Sequence, residues 1–255
     1  MYLTPLFSRV SRSGSRSLVP TPRVAEKFEK SHLSSPEVAP LIENAKYFYV
    51  EGSFLTHGVE SVLELSSKSS AAGKVRSTSS STPAPGLTKK ITKQSQTFVL
   101  NLSAPVIAQF FGAQIKQILP YVDIVIGNEA EAEAWANANG YADPKDLPGI
   151  ARTIALLPKN NASRSRIVVF TQGAQHTVVV TADKPNEPKI FPVNVLTDDQ
   201  IVDTNGAGDA FAGGFLGGLV AGKSLDDSVL AGHALARACV QEVPMIHFEA
   251  IAFRS

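Results

Sequence analysis

The chain of 255 residues contains one cysteine, Cys239, so it cannot form an internal disulfide, and its composition fits a reducing compartment. No apolar run approaches the ~20 residues that a membrane-spanning helix needs. Lysine and arginine together number 24 against 23 aspartates and glutamates, a formal net charge of +1, and no basic stripe interleaved with aromatics is present. That balance gives no reason to expect nucleic acid as a partner. There is no HExxH and no Gly-x-Ser-x-Gly elbow. The histidines (His32, His57, His176, His233, His247) show no metal-ligand spacing with one another or with Cys239. No internal repeat is visible. What remains, at 44% apolar residues, has the composition of a soluble protein able to bury one α/β core.

Hydrophobic patterning alternates strands with helices. Short β-branched or aromatic runs at 46–50, 97–100, 123–126 and 166–170 predict strands, and helical patterns near 59–68, 106–119, 129–139 and 147–156 separate them. Two further strands are expected at 177–181 and 189–193, flanking a turn-rich stretch at 183–188. This order predicts an α/β fold: a doubly wound, mostly parallel sheet with helices on both faces.

The most informative segment is Asp203-Thr204-Asn205-Gly206-Ala207-Gly208-Asp209, which enters a run of small residues from Ala210 to Gly218. Consecutive small-residue amides at a helix N-terminus would hold a phosphate, and the helix dipole would keep Asp209 ionised. Phosphoryl transfer to a hydroxyl needs a base within hydrogen-bond reach and donors where charge builds up. Asp209 suits the first role, and the amides of Gly206, Ala207 and Gly208 suit the second. The plainer alternative is a glycine-rich helix start with a capping aspartate. A dinucleotide fingerprint would require glycine at Phe211, and a Walker loop would require Gly-Lys-Ser or Gly-Lys-Thr at Gly208-Asp209-Ala210. Neither fits.

The run DTNGAGDAFAGGF, Asp203 to Phe215, resembles the C-terminal signature of the ribokinase-like (PfkB) carbohydrate and nucleoside kinases, in wording nearest to the adenosine kinases among them. Three upstream segments resemble the same kinases in the same order: Asn101-Leu102-Ser103-Ala104-Pro105, YVDIVIGNEAEA from Tyr121 to Ala132, and Phe170-Thr171-Gln172-Gly173. The resemblance implies transfer of phosphate from ATP to adenosine with Mg²⁺, in purine salvage, with Asp209 as the general base. It places Asn128 and Glu131 on the Mg²⁺ and phosphate network through water. It also puts Asn128, Thr171, Gly173 and His233 at ATP, and Phe54 and Asn101 on the substrate side. Read without the family, Asn128 to Glu133 is a helix start with acidic residues in its first turn, Thr171 and Gly173 form an ordinary turn after a buried strand, and His233 is a packed helix residue.

Two substrate-side positions depart from the family's wording: Ser53 stands where an aromatic commonly follows the glycine, and Val106 follows the proline where phenylalanine is usual. The loss of those surfaces implies weaker nucleoside stacking. Phe54 reads as a core residue more readily than as a substitute stacker.

Three stretches break the pattern. Residues 1–24 carry four arginines, five serines and three prolines with no acidic residue, and read as an unrelated, disordered extension, with mitochondrial import as an alternative. Residues 75–96, polar and Ser/Thr-rich, read as a low-complexity insert in a kinase core spanning 25–241. Residues 242–255 read as a divergent tail. The resemblance starts near Ala25, so the family's N-terminal portion, including its small β lid, is expected to be missing. The expectation is an adenosine-kinase-like phosphotransferase, cytoplasmic or nuclear, monomeric, with ATP and adenosine as partners and no nucleic acid or membrane. The alternatives are another nucleoside or sugar kinase, and a non-catalytic, nucleotide-binding remnant.

Overall fold

The computed structural model describes residues 25–72 and 96–242. The 1–24 stretch, the 75–96 insert except Gln96, and the tail beyond Glu242 lie outside the described residues. Gln96 belongs to the folded chain: it is buried, its side chain donates to the Ile42 carbonyl at 2.8 Å, and its carbonyl accepts from Ser69 Oγ at 3.0 Å.

Six strands form one sheet in the order of the chain: β1 Tyr47–Glu51, β2 Thr97–Asn101, β3 Ile124–Asn128, β4 Ile167–Thr171, β5 His176–Thr181 and β6 Lys184–Pro192. The first four run parallel, and β5 and β6 are antiparallel additions. The helices are α1 Ala39–Asn44, α2 Val59–Ala72, α3 Pro105–Phe110, α4 Gly112–Ile118, α5 Glu129–Ala138, α6 Leu147–Leu156, α7 Ala207–Val220 and α8 Leu225–Gln241. Among the described residues no helix is long and apolar enough to cross a membrane.

Strands buried on both faces read as continuous apolar runs, and successive side chains then divide between two cores. Phe98, Leu100, Val125, Val168, Phe170, Val178 and Val180 point into a large core with α2, α4, α5 and α6. Their neighbours Val99, Ile124, Ile126, Val169 and Val179 meet Phe211, Ala212 and Phe215 of α7 and Val229 of α8. With crossovers of one hand and a strand order that never reverses, the connecting helices all fall on one face. Covering the second face is left to α7 and α8.

Two segments differ from the sequence reading. The helix expected at 106–119 is two helices, broken at Phe111, where φ is −115° and ψ is 24°. A glycine follows at 112, and the break lets α3 pack on α5 while α4 packs on α2. The stretch 183–188, read as turn, is mostly strand: β5 turns back through Ala182 and Asp183, with Thr181 already paired to Lys184. Prolines 185, 188 and 192 are tolerated because β6 lies at the sheet edge, where not every N–H must pair.

The amino ends of the strands are tied by charge. Arg166 is 1% exposed, and its five N–H groups reach five backbone carbonyls: Val122 from Nε, Ile154 and Leu157 from one terminal nitrogen, and Leu119 and Pro158 from the other, at 2.6–3.2 Å. Burial pushes its pKa down to about 10, partly offset by the Asp123 carboxylate. Asp123 in turn holds Lys159 at 2.6 Å, Arg164 at 3.0 Å and the Phe98 amide at 2.9 Å. Replacing Arg166 with methionine would leave buried carbonyls unsatisfied at the end of α6. We expect a loss of about 3 kcal/mol or more in urea denaturation, with an unchanged m-value.

Candidate active site

The strand registers align residues at the carboxyl edge of the parallel strands, where open α/β sheets bind ligands. Glu51 pairs with Asn101, Asn101 with Ile126, and Asn128 with Thr171. Ile126 faces α7, so the period of two puts Tyr49, Glu51, Asn101, Asn128 and Thr171 on the α7 side.

α7 runs back along that face. Tyr47, at the amino end of β1, lies 3.5 Å from the Leu219 carbonyl near the end of α7, so the start of α7 reaches the carboxyl edge. The turn before the helix is held by side chains: Asp203 accepts from the Asn205 amide at 2.9 Å and from its Nδ2 at 3.1 Å, and Cys239 Sγ donates to the Asn205 carbonyl at 3.4 Å. Gly206 then takes φ +74°, a left-handed conformation that favours glycine, and its carbonyl accepts the first helical bond from Ala210 at 2.8 Å. The amides of Gly208 and Asp209 belong to the first turn, which a helix cannot satisfy internally. Nothing lies within 4 Å of the place a Gly208 Cβ would take, so an anion has a clear approach.

Asp209 sits in that first turn. The dipole argument expects its carboxyl to be held ionised, but desolvation, and after it the Glu51 carboxylate, raise its pKa above the ordinary value. A carboxyl with greater proton affinity is a better acceptor of a hydroxyl proton.

Asn128 and Glu131 form a closed pair. Asn128 Oδ1 accepts from the Glu131 amide at 2.9 Å, while the two Glu131 oxygens accept from the Asn128 amide at 3.0 Å and its Nδ2 at 2.9 Å. This is a capping box at the start of α5, with asparagine in the place of the usual serine or threonine. Glu131 is buried, and desolvation pushes its pKa up to about 7, against the bonds from Asn128 and with help from Glu51 and Glu129. Among the described residues no three His, Cys, Asp or Glu side chains converge as a metal cage.

Thr171 ends β4 beside Asn128, and its hydroxyl reaches the Gly127 carbonyl at 3.4 Å. Gly173 follows at φ +51° in the hairpin to β5, with open space at its Cβ. His233 is a brace: its Nε2 lies 2.8 Å from Thr177 Oγ1 and its ring 5.7 Å from Phe211. Burial lowers its pKa, which favours the neutral ring. Phe54 lies in the short 3-10 turn Gly52–Thr56 directly after β1, its ring against Phe28 and His57 at 5.3 and 4.8 Å and on the large core. Asn101 is at the edge, donating from Nδ2 to Tyr49 Oη at 2.8 Å and accepting from the Ser103 amide at 3.0 Å.

Sequence reasoning missed Tyr49, Glu51 and Ser103. The Tyr49 and Ser103 hydroxyls both donate to the Glu51 carboxylate. Ser103 holds φ +68°, the one non-glycine residue with positive φ among those described. Strand alternation alone could have placed Tyr49 and Glu51 on one face; nothing in the sequence says that this face meets Asp209.

A family model described as pfkB family carbohydrate kinase matches residues 6–248. The chain belongs to that family. An adenosine kinase of Schizophyllum commune is 53% identical over 228 residues, covering 89% of this chain and 60% of the relative. Among solved structures, adenosine kinase of Anopheles gambiae in complex with P1,P4-di(adenosine-5) tetraphosphate superposes with a TM-score of 0.76 at 37% identity, over 88% of this chain and 58% of that one. Adenosine kinase from Schistosoma mansoni in complex with 2-fluoroadenosine gives 0.72 at 30% identity, over 85% and 56%. The chain thus spans 56% to 60% of the length of the curated relatives it matches.

The buried Glu131 makes stability depend on pH. Its folded pKa, about 7, lies above the ordinary 4.5, so the folded state keeps a proton that the unfolded chain gives up. Its contribution is fully present below about pH 4.5 and is lost as pH rises to about 7. Urea denaturation across that range should show a decline in stability that Glu131→Gln flattens.

Proposed function

We propose that this chain carries the phosphoryl-transfer machinery of an adenosine kinase, moving the γ-phosphoryl group of ATP to the 5′-hydroxyl of adenosine. One observation carries the reading: a carboxyl of raised proton affinity stands in the first turn of α7, beside the first-turn amide of Gly208, above the carboxyl edge of the parallel strands, while the Ala207 amide donates to the Thr204 carbonyl at 3.4 Å. The similarity to adenosine kinases of several organisms supports the choice of acceptor.

In this reading the phosphates lie at the start of α7, where the amides of Gly206, Ala207 and Gly208 meet the charge that grows on the transferring group. Asp209 takes the hydroxyl proton as the acceptor oxygen bonds to the γ-phosphorus and the bond to the bridging oxygen breaks, leaving ADP and AMP. Thr171 and Gly173, at the mouth of the β4–β5 hairpin, flank the nucleotide. Asn101 lies on the acceptor side. His233 acts indirectly, fixing α8 against β5.

Mg²⁺ would neutralise phosphate charge when bound. The residues fit an ion carried mainly by the phosphates: Asn128 and Glu131 offer oxygen donors, yet both Glu131 oxygens are already engaged by Asn128, so contact through water suits them better than direct ligation. A cytoplasmic site of action agrees with the single free cysteine.

The test is transfer of labelled phosphate from ATP to adenosine, with ribose and fructose as competing acceptors. We expect turnover that favours adenosine and falls by roughly 10²–10⁴-fold in Asp209→Ala. A folded chain that binds ATP without turnover would favour the nucleotide-binding reading, and preference for a sugar would overturn the acceptor.

A further inference from the structure

We propose that Glu51 is a positioning residue for Asp209, a carboxylate clamped on the same face and the same edge of the sheet as the start of α7. The proposal rests on the reading of Asp209 as the proton acceptor.

The placement follows from the face that β1 shares with α7, which packs on β3 while Tyr47 of β1 reaches across to its end. The two elements touch at one known point, Tyr47 against the Leu219 carbonyl. From Tyr47 to Glu51 the strand advances about 13 Å at ~3.3 Å per residue. From Leu219 back to Asp209 the helix covers about 15 Å at ~1.5 Å per residue. The two paths run the same way along the same face, so both end at the carboxyl edge, close enough for the Glu51 charge to act on Asp209.

Glu51 is held there rather than left to swing. Both of its oxygens receive hydroxyl hydrogens, Oε1 from Tyr49 and Oε2 from Ser103. Asn101 binds both of those residues, through Nδ2 to Tyr49 Oη and Oδ1 to the Ser103 amide. The left-handed backbone of Ser103 is what turns its hydroxyl and amide toward this cluster, a strain of the kind that persists where the surroundings fix it. Three side chains from β1, β2 and the loop after β2 therefore fix one carboxylate.

The other titratable groups around this mouth are Tyr49 on β1, Glu131 at the start of α5, Asp203 before α7, and His233 and Cys239 on α8. Tyr49 is kept neutral by desolvation and by its bond to Glu51, and His233 is shifted toward neutrality. Glu51 is the charged neighbour that acts on Asp209, and it acts on Glu131 in the same sense.

The experiment is a ¹³C-carboxyl NMR titration of the ligand-free full chain with labelled aspartate, the Asp209 signal identified by its loss in Asp209→Asn. In Glu51→Gln, or in Glu51→Ala if the amide disturbs folding, the Asp209 midpoint should fall by roughly half a pH unit or more. An unchanged or higher midpoint in a folded variant overturns the proposal. The readout needs no turnover, so a chain that fails to transfer phosphate would sink the functional reading and leave this one to be judged on the titration. Where turnover is measurable, the acid limb of the kcat/KM profile should move down with the midpoint, a change that a merely structural role would not produce.

Discussion

The contact on which the site depends is the backbone-to-backbone seat of α7 on α8. A Cβ on Gly214 would stand 2.5 Å from the Ala231 carbonyl oxygen, one on Gly218 would stand 2.7 Å from Ser228 Oγ, and one on Gly232 would stand 2.8 Å from the Phe211 ring. Gly214 and Gly218, four apart, lie on one stripe of α7, so along that stripe the helix puts no side chain of its own between itself and its neighbour. Phe211 and Phe215, stacked with centroids 6.2 Å apart, fill the second core against the sheet. The helix is pinned from two sides, and its first turn has one place to go. The run of small residues after Asp209, which as a sequence looks like a weak helix, is what lets the helix be placed so closely.

The sheet divides its ends between stability and chemistry. At the amino edge every strong charge is answered: Arg166 by five carbonyls, and Asp123 by Lys159, Arg164 and a backbone amide. A buried guanidinium is costly unless its donors are saturated, and here they are. At the carboxyl edge the balance is reversed. Carboxyls gather (Glu51, Glu131, Asp209) with hydroxyls and amides as partners, and their mutual influence is felt as raised proton affinity in Glu131 and Asp209. Such perturbed groups in a shared mouth mark a working edge more than a structural one.

Much of this edge was legible in the sequence. A strand followed by a short polar motif places its last residues at the carboxyl edge, which locates Thr171; Asn101 and Asn128 stand out in the sequence only through the family resemblance of their motifs. The glycine turn and Asp209 were equally plain, because only a few backbone geometries suit such a run. The acidic start of α5 was visible too, but not that Asn128 and Glu131 would satisfy each other as a capping box. What escaped was anything that depends on which strand lies beneath which helix. Glu51 reads as the end of an ordinary strand until it is set on the same face and edge as the start of α7. Arg166 reads as a charge at a strand boundary until the ends of α6 and its neighbours converge on it. The split at Phe111 and the early start of β6 were lost for a related reason: tertiary packing and edge position overrode local preference.

The crowding of carboxyls near a phosphate site invites an objection, since like charges should repel the ligand. Geometry answers it. In the proposed reading the anion-holding groups are the amides at the start of α7 and the turn before it, and a helix terminus attracts negative charge over a short range, within about its first turn. Glu51 lies across the mouth on β1, where its charge adds to desolvation in raising the proton affinity of Asp209. In the proposed reading that makes Asp209, ionised when the hydroxyl approaches, a better acceptor of its proton.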